Sequence, residues 1–270
     1  MFMHVDYFSR ALGKMMQMDV CLPQTQGNAP CPPMPEQGWK VLYLIHGWSD
    51  NHTCWQRFTS IERYAASRGV VVVMPDADLS FYTDMAHGAA YYTQMTRELP
   101  ALVKEMFHVS DRREDTFIAG LSMGGYGALR MGMLNPDQYA AIACLSAGNF
   151  AEMLAAQAAN NPNPGWLASM NNIYGDLFPN VTDTEYDVFH VVKEDLAAGK
   201  QLPRLFHCIG TEDPGYQGVQ STPAFFESLP AGTSDYVYRA YPGVHDWKFW
   251  DSHICEALDF FGLTEAQFTR

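Results

Sequence analysis

The sequence has no run of about 18 apolar residues, so no part of it reads as a membrane span. It is short of positive charge: 17 Lys plus Arg stand against 30 Asp plus Glu, a formal net charge of −13, with both signs spread along the chain. That balance argues against nucleic acid, and against an anionic membrane surface, as a partner. The six cysteines (Cys21, Cys31, Cys54, Cys144, Cys208, Cys255) form no CxxC and no short Cys/His pairing, and none of the nine histidines sits in HExxH or HxxxH. The thiols are therefore read as free, in a reducing compartment, and no metal or cofactor is expected. There is no internal repeat and no low-complexity tract. His4 and Asp6 stand where a signal peptide carries positive charge, and no apolar stretch follows them, which reads as a cytoplasmic chain.

What is present is apolar material in short runs. With 47% hydrophobic residues over 270 positions, the chain can bury a sizeable core and is read as one domain, 1–270. Lys14 to Leu22 reads as a strand ending at Pro23, and Pro23 to Gly38, with five prolines, reads as a loop. Beyond it, Val41 to Ile45, Val70 to Met74, Thr116 to Gly120, Ala140 to Ser146, Leu205 to Gly210 and Asp235 to Tyr241 are strands of the kind buried in a parallel sheet. Helical spacing falls between them at Gln56 to Arg68, at about Tyr92 to Phe107 and at Gly125 to Leu134. This alternation predicts an α/β fold with a mostly parallel central sheet and helices on both faces. Between Ala147 and Pro203 turn-forming residues break the pattern, and only short helical pieces fit. That stretch is expected to be a cap-like insertion near the ligand-binding edge of the sheet.

The strongest chemical signal is Gly120-Leu121-Ser122-Met123-Gly124, a G-x-S-x-G directly after one strand and directly before a helical run. So tight a turn strains the serine backbone and leaves no room for side chains two residues on either side, a demand that Gly120 and Gly124 meet. A serine hydroxyl needs a base, and His245, in the loop Tyr241 to Trp247 after the last strand, is in the expected place. A carboxylate must hold that imidazole, and Asp213, in GTEDP after the preceding strand, lies at the same sheet edge; its neighbour Glu212 points away and Asp246 is too close to the base. The order Ser122, Asp213, His245 is that of the α/β-hydrolase fold. The oxyanion donors are expected to be the backbone N–H of Met123 and, from the His46-Gly47-Trp48 turn, that of Trp48. His46 itself is read as shaping the turn. Tyr82, Trp166 and Trp247, with Trp48, are candidates for narrowing the acyl pocket, and His253 is expected on the surface of the closing helix.

The segments LIHGWSDNHTCW, TFIAGLSMGGYGALR, IGTEDPGY and YPGVHDWKFWDSHI resemble the esterase D-like esterases, and within them the bacterial tributyrin esterases. The likeness covers nearly the whole chain and is weakest between Ala147 and Gln201. In that family the triad is a serine in GxSMGG, an aspartate in GxxD and a histidine in GxHxW, which match Ser122, Asp213 and His245. The resemblance implies hydrolysis of short-chain acyl esters, acetyl or butyryl, and in related chains of acetylated or feruloylated sugars. The expected partner is thus a small-molecule ester; relatives often form homo-oligomers, and nothing in this chain argues for or against that. Two alternatives use the same acyl-enzyme: an S-formylglutathione hydrolase-type thioesterase and an acyltransferase. The former carry a cysteine soon after their HG turn, whereas Cys54 falls later here, and the net charge does not favour an anionic glutathione ester.

Overall fold

The computed structural model describes residues 1–25, 31–161 and 163–266; part of the proline-rich loop and Pro162 lie outside them. Eight strands form one sheet: β1 (Phe2–Ser9), β2 (Lys14–Cys21), β3 (Lys40–Ile45), β4 (Val70–Pro75), β5 (Thr116–Leu121), β6 (Ala141–Leu145), β7 (Arg204–Gly210) and β8 (Tyr236–Tyr241). Their order is β1-β2-β4-β3-β5-β6-β7-β8; β1, β2 and β4 pair antiparallel, and β4 through β8 are parallel. The expected α/β-hydrolase architecture is thus present, with β1 as an added edge strand. β1 gives a weak sequence signal because exposed residues alternate along it with half-buried and, at Tyr7 and Ser9, buried ones, so it has no continuous apolar run.

The continuous apolar runs serve two cores at once. In β3, Val41, Tyr43 and Ile45 join the hydrophobic cluster on one face of the sheet, and Leu42 and Leu44 join that on the other. The first face is covered by α4 (Leu99–Met106), α5 (Met123–Leu134) and α8 (Val188–Ala197), the second by α2 (Ile61–Arg68) and α10 (Trp247–Phe260). α2 stops at Gly69, whose φ of 63° is the left-handed cap geometry.

Three expectations are corrected in detail. Gln56 to Arg68 is two helices, α1 (Cys54–Phe58) and α2, because the Thr59 hydroxyl donates to Trp55 O and accepts from Ile61 N, replacing helical pairing at the break. The next helical stretch runs as α3 (Tyr91–Thr93), a π turn (Gln94–Glu98) and α4; Leu99 N reaches back five residues to Gln94 O, just before Pro100, which has no N–H to continue the ladder. The third concerns the insertion, which carries full helices: α6 (Phe150–Asn160), α7 (Pro164–Tyr174) and α8. Residues that suggest turns are helix starts here. Asn163 caps α7 by accepting from Gly165 N and Trp166 N, with Pro164 in the first turn, and Asp187 caps α8 through Phe189 N. α9 (Ser221–Ser228) completes the helices.

Candidate active site

The strand order reverses at β3, which pairs with β4 on one side and β5 on the other. Chain segments leaving β3 and β5 diverge there and open a crevice at the C-terminal edge of the sheet. Ser122 follows β5 directly. It has φ 53° and ψ −121°, a backbone state that costs an L-residue strain, and its N–H is tied to Leu145 O at 2.9 Å. The glycines on either side are required by contact: a Cβ at Gly120 would lie 2.3 Å from Gly124 O, and one at Gly124 would lie 2.4 Å from His46 O.

The structure brings the three predicted residues together. His245 Nε2 lies 2.9 Å from Ser122 Oγ, and His245 Nδ1 lies 2.7 Å from Asp213 Oδ2. A carboxylate only accepts, so Nδ1 carries the proton and Nε2 presents its lone pair to the serine hydroxyl. Asp213 is buried, and burial by itself would raise its carboxyl. The hydrogen bonds from His245 and Gly215 N–H, with a further contribution from Ser146, outweigh that and hold it below the ordinary carboxylate range. Glu212 instead accepts from Gly243 N, and Asp246 caps α10 through Phe249 N at 2.9 Å, so neither competes for the imidazole. The Trp250 ring stands edge-on to His245, with centroids 5.1 Å apart at 88°.

The N–H groups of Trp48 and Met123 have no acceptor among the described residues, and both flank Ser122. The turn that carries Trp48 is held from beneath. Ala77 N donates to His46 Nε2 at 3.0 Å, His46 Nδ1 donates to Gly47 O at 2.8 Å, and the buried Tyr82 hydroxyl donates to His46 O at 2.7 Å. Asp76 lies beneath both His46 and His52. Burial would raise its carboxyl, but the hydrogen bonds from His52 Nδ1 and the Asp78 N–H keep it well below its usual range.

A cavity of about 330 Å³ opens on one side of Ser122, walled by Trp48, Phe81, Tyr126, Phe150, Met153 and Trp166. On the other side a cleft of about 320 Å³ is more polar, with Ser49, Asp50, Asp246, Trp247 and Trp250 in its wall. Trp48 and Trp166 therefore reach the apolar cavity, whereas Trp247 faces the second cleft and packs on Trp55 and Phe58. Tyr82 is a correction: it is 0% exposed, its ring lies under Gly127, and its neighbour Phe81 lines the cavity in its place. Both residues have positive φ (51° and 57°), so the strict alternation of an extended chain does not apply. His253 is a second correction, since its side chain is only 14% exposed, stacks on Tyr241 and bonds Glu256. Sequence reasoning passed over Ser146, whose Oγ accepts from Trp250 Nε1 at 3.0 Å beside Asp213; its place at the end of β6, on the same sheet edge, was the available signal.

The family model described as "Putative esterase" matches residues 9–261. The chain is similar to an acetyl esterase of Caldicellulosiruptor saccharolyticus, 28% identical over 263 residues that cover 96% of this chain and 97% of that one. Among solved structures it is similar to FphF, a fluorophosphonate-binding serine hydrolase of Staphylococcus aureus determined with substrate bound (32% identity, 97% of this chain and 98% of that one, TM-score 0.83). It is likewise similar to the S-formylglutathione hydrolase FrmB of Staphylococcus aureus (32% identity, the same coverage, TM-score 0.80). The match spans nearly the whole chain, and on it the protein belongs to the "Putative esterase" family and is a carboxylic ester hydrolase of the α/β-hydrolase type.

Proposed function

We propose that this serine carboxylesterase acts on short-chain acyl esters, with Ser122 as nucleophile, His245 as general base and acid, and Asp213 as the group that holds the imidazole. The observation that carries the proposal is the unbroken relay from Asp213 Oδ2 through His245 to Ser122 Oγ, at 2.7 and 2.9 Å. As Ser122 Oγ attacks the ester carbonyl, its proton passes to His245 Nε2, and the imidazolium that forms is stabilised by Asp213. The oxyanion takes the N–H groups of Trp48 and Met123, each worth about 3 kcal/mol of barrier in comparable sites. Collapse expels the alkoxide, which leaves with the proton from Nε2 as the alcohol. Water then repeats the steps on the acyl-serine and releases the acid.

The apolar cavity, walled by aromatic rings and Met153, suits a small acyl chain, and the polar cleft suits the alcohol. Similarity to an acetyl esterase supports the short acyl group. A thioester reading has support from the likeness to an S-formylglutathione hydrolase. Asp50 and Asp246 in the wall of the leaving-group cleft weigh against it, because glutathione brings its own carboxylates there. Initial rates on p-nitrophenyl acetate, butyrate and octanoate, with S-formylglutathione and methyl ferulate alongside, test the proposal. Fast turnover of acetate and butyrate that collapses at octanoate is expected. Preference for the thioester or the ferulate overturns the substrate class. Butanol added to the acetate assay separates hydrolysis from acyl transfer by product.

A further inference from the structure

Away from the catalytic crevice, three residues distant in sequence converge: His4 on β1, Asp19 on β2, and His52 in the loop between β3 and α1. His4 and Asp19 are direct partners in the antiparallel register, which sets their side chains on one face of the hairpin, with His4 Nδ1 2.7 Å from Asp19 Oδ1. The His4 and His52 rings approach to 5.0 Å between centroids. Asp19 is 2% exposed and His52 5%, while the His4 side chain is 44% exposed.

The anomaly is at His52. Its Nδ1 faces Asp76 Oδ2 at 3.3 Å, and since that carboxylate only accepts, Nδ1 carries the proton and Nε2 presents a lone pair. Nε2 is buried and has no hydrogen-bond partner among the described residues. A buried acceptor without a donor is costly. His52 is also one of three residues, with His4 and Asp19, whose donor atoms, one from each, lie within 4.8 Å of one another.

We propose that His4, Asp19 and His52 bind one divalent transition-metal ion of the zinc type. The donor set is two imidazoles and one carboxylate, which suits a borderline cation rather than Mg²⁺ or Ca²⁺. The backing of His52 by Asp76 is the carboxylate–imidazole arrangement that fixes the ring of a metal-binding histidine. Tetrahedral zinc requires donors about 3.3 Å apart. The three donor atoms lie within 4.8 Å of one another, so the closure needed is small, and His4, the exposed member, has the most room to adjust once the proton it shares with Asp19 is displaced. That exposure also supplies the entry path and a position for water as fourth ligand. The cation displaces the proton that His4 shares with Asp19 and gives the His52 lone pair its partner. His52 lies four residues beyond Trp48, so the ion ties the β1–β2 hairpin to the segment that carries one of the unpaired N–H groups beside Ser122.

The test is zinc binding by the intact protein after EDTA treatment and removal of the chelator. One equivalent is expected to bind and to raise the melting temperature. His4→Ala and Asp19→Asn are expected to weaken that equivalent by tenfold or more and to abolish the thermal shift, while melting like the parent in EDTA. X-ray absorption of the zinc-loaded parent protein, which needs no variant, is expected to show only nitrogen and oxygen ligands. Absence of a stoichiometric equivalent, undiminished affinity in both variants, or sulfur in the zinc shell, which would place the ion on a free cysteine, each overturns the proposal.

Discussion

Replacing Asp213 by Asn changes one atom and no volume, yet the hydrogen bonds around that position make the outcome severe. In the parent, Asp213 Oδ1 accepts from Gly215 N–H at 2.7 Å and Oδ2 accepts from His245 Nδ1 at 2.7 Å. An amide has only one oxygen. The Gly215 N–H can only donate, so the amide oxygen is held there and the NH₂ group faces His245. Nδ1 must then become an acceptor, the imidazole proton moves to Nε2, and Nε2 can no longer take the proton of Ser122. The wrong tautomer in a comparable triad costs about 10⁴-fold in kcat, or about 5.4 kcal/mol at 1.36 kcal/mol per tenfold. The assay is kcat on p-nitrophenyl acetate near pH 7.5 for Asp213→Asn and for Glu212→Gln, with thermal melts of both. Glu212 bonds Gly243 N and Thr211 and not the imidazole, so its variant is expected to stay within a few-fold of the parent. If Asp213→Asn retains a tenth or more of the parent rate with an unchanged melt, the tautomer argument is wrong and another carboxylate orients His245.

Ser122→Ala is expected to lose turnover entirely while melting within a few degrees of the parent, because the strained backbone stays and only a hydroxyl leaves; residual hydrolysis above background counts against Ser122 as nucleophile. Gly124→Ala forces a Cβ to 2.4 Å from His46 O, backbone that cannot swing aside; a loss of roughly 3 kcal/mol is expected by denaturant titration. His207 is buried between Tyr236 OH and Ala147 O, and burial pushes its imidazole down to about 4. An unfolded chain with an ordinary histidine binds more protons than the folded one as pH falls from about 6.5 to 4, so stability declines through that window, by roughly 3 kcal/mol from this group. His207→Gln should flatten that slope, and an equally steep decline in the variant would assign it elsewhere. Trp166→Ala removes a ring from the wall of the apolar cavity and should raise the octanoate-to-acetate rate ratio about tenfold; an unchanged ratio places acyl selection on other residues.

Much of the site was legible because its parts are local. A G-x-S-x-G between a strand and a helix describes a turn whose geometry is enforced within five residues, and the loop after β7 holds the suitable carboxylate while the loop after β8 holds the suitable imidazole. Where side-chain direction depended on irregular backbone, the reading failed. Phe81 and Tyr82 sit at positive φ in a non-repeating loop, and sequence periodicity says nothing about which of them faces the cavity. The helices of the insertion were obscured because Asn163, Pro164 and Asp187 favour turns and helix starts alike, and only the tertiary packing of Leu154, Ile173 and Val192 selects the helix.

The sequence by itself determined the class of sheet, the strained serine and the chain order of Ser122, Asp213 and His245, since each is written in short-range pattern: apolar runs of strand length, glycines where a Cβ cannot fit, and a histidine and an aspartate just past strand ends. Only the tertiary structure decided which groups meet across the chain. Ser146 beside Asp213, Tyr82 beneath the turn of His46 to Trp48, and His52 facing His4 and Asp19 are contacts between segments far apart in sequence. Those contacts follow from strand order and register, which no local pattern encodes.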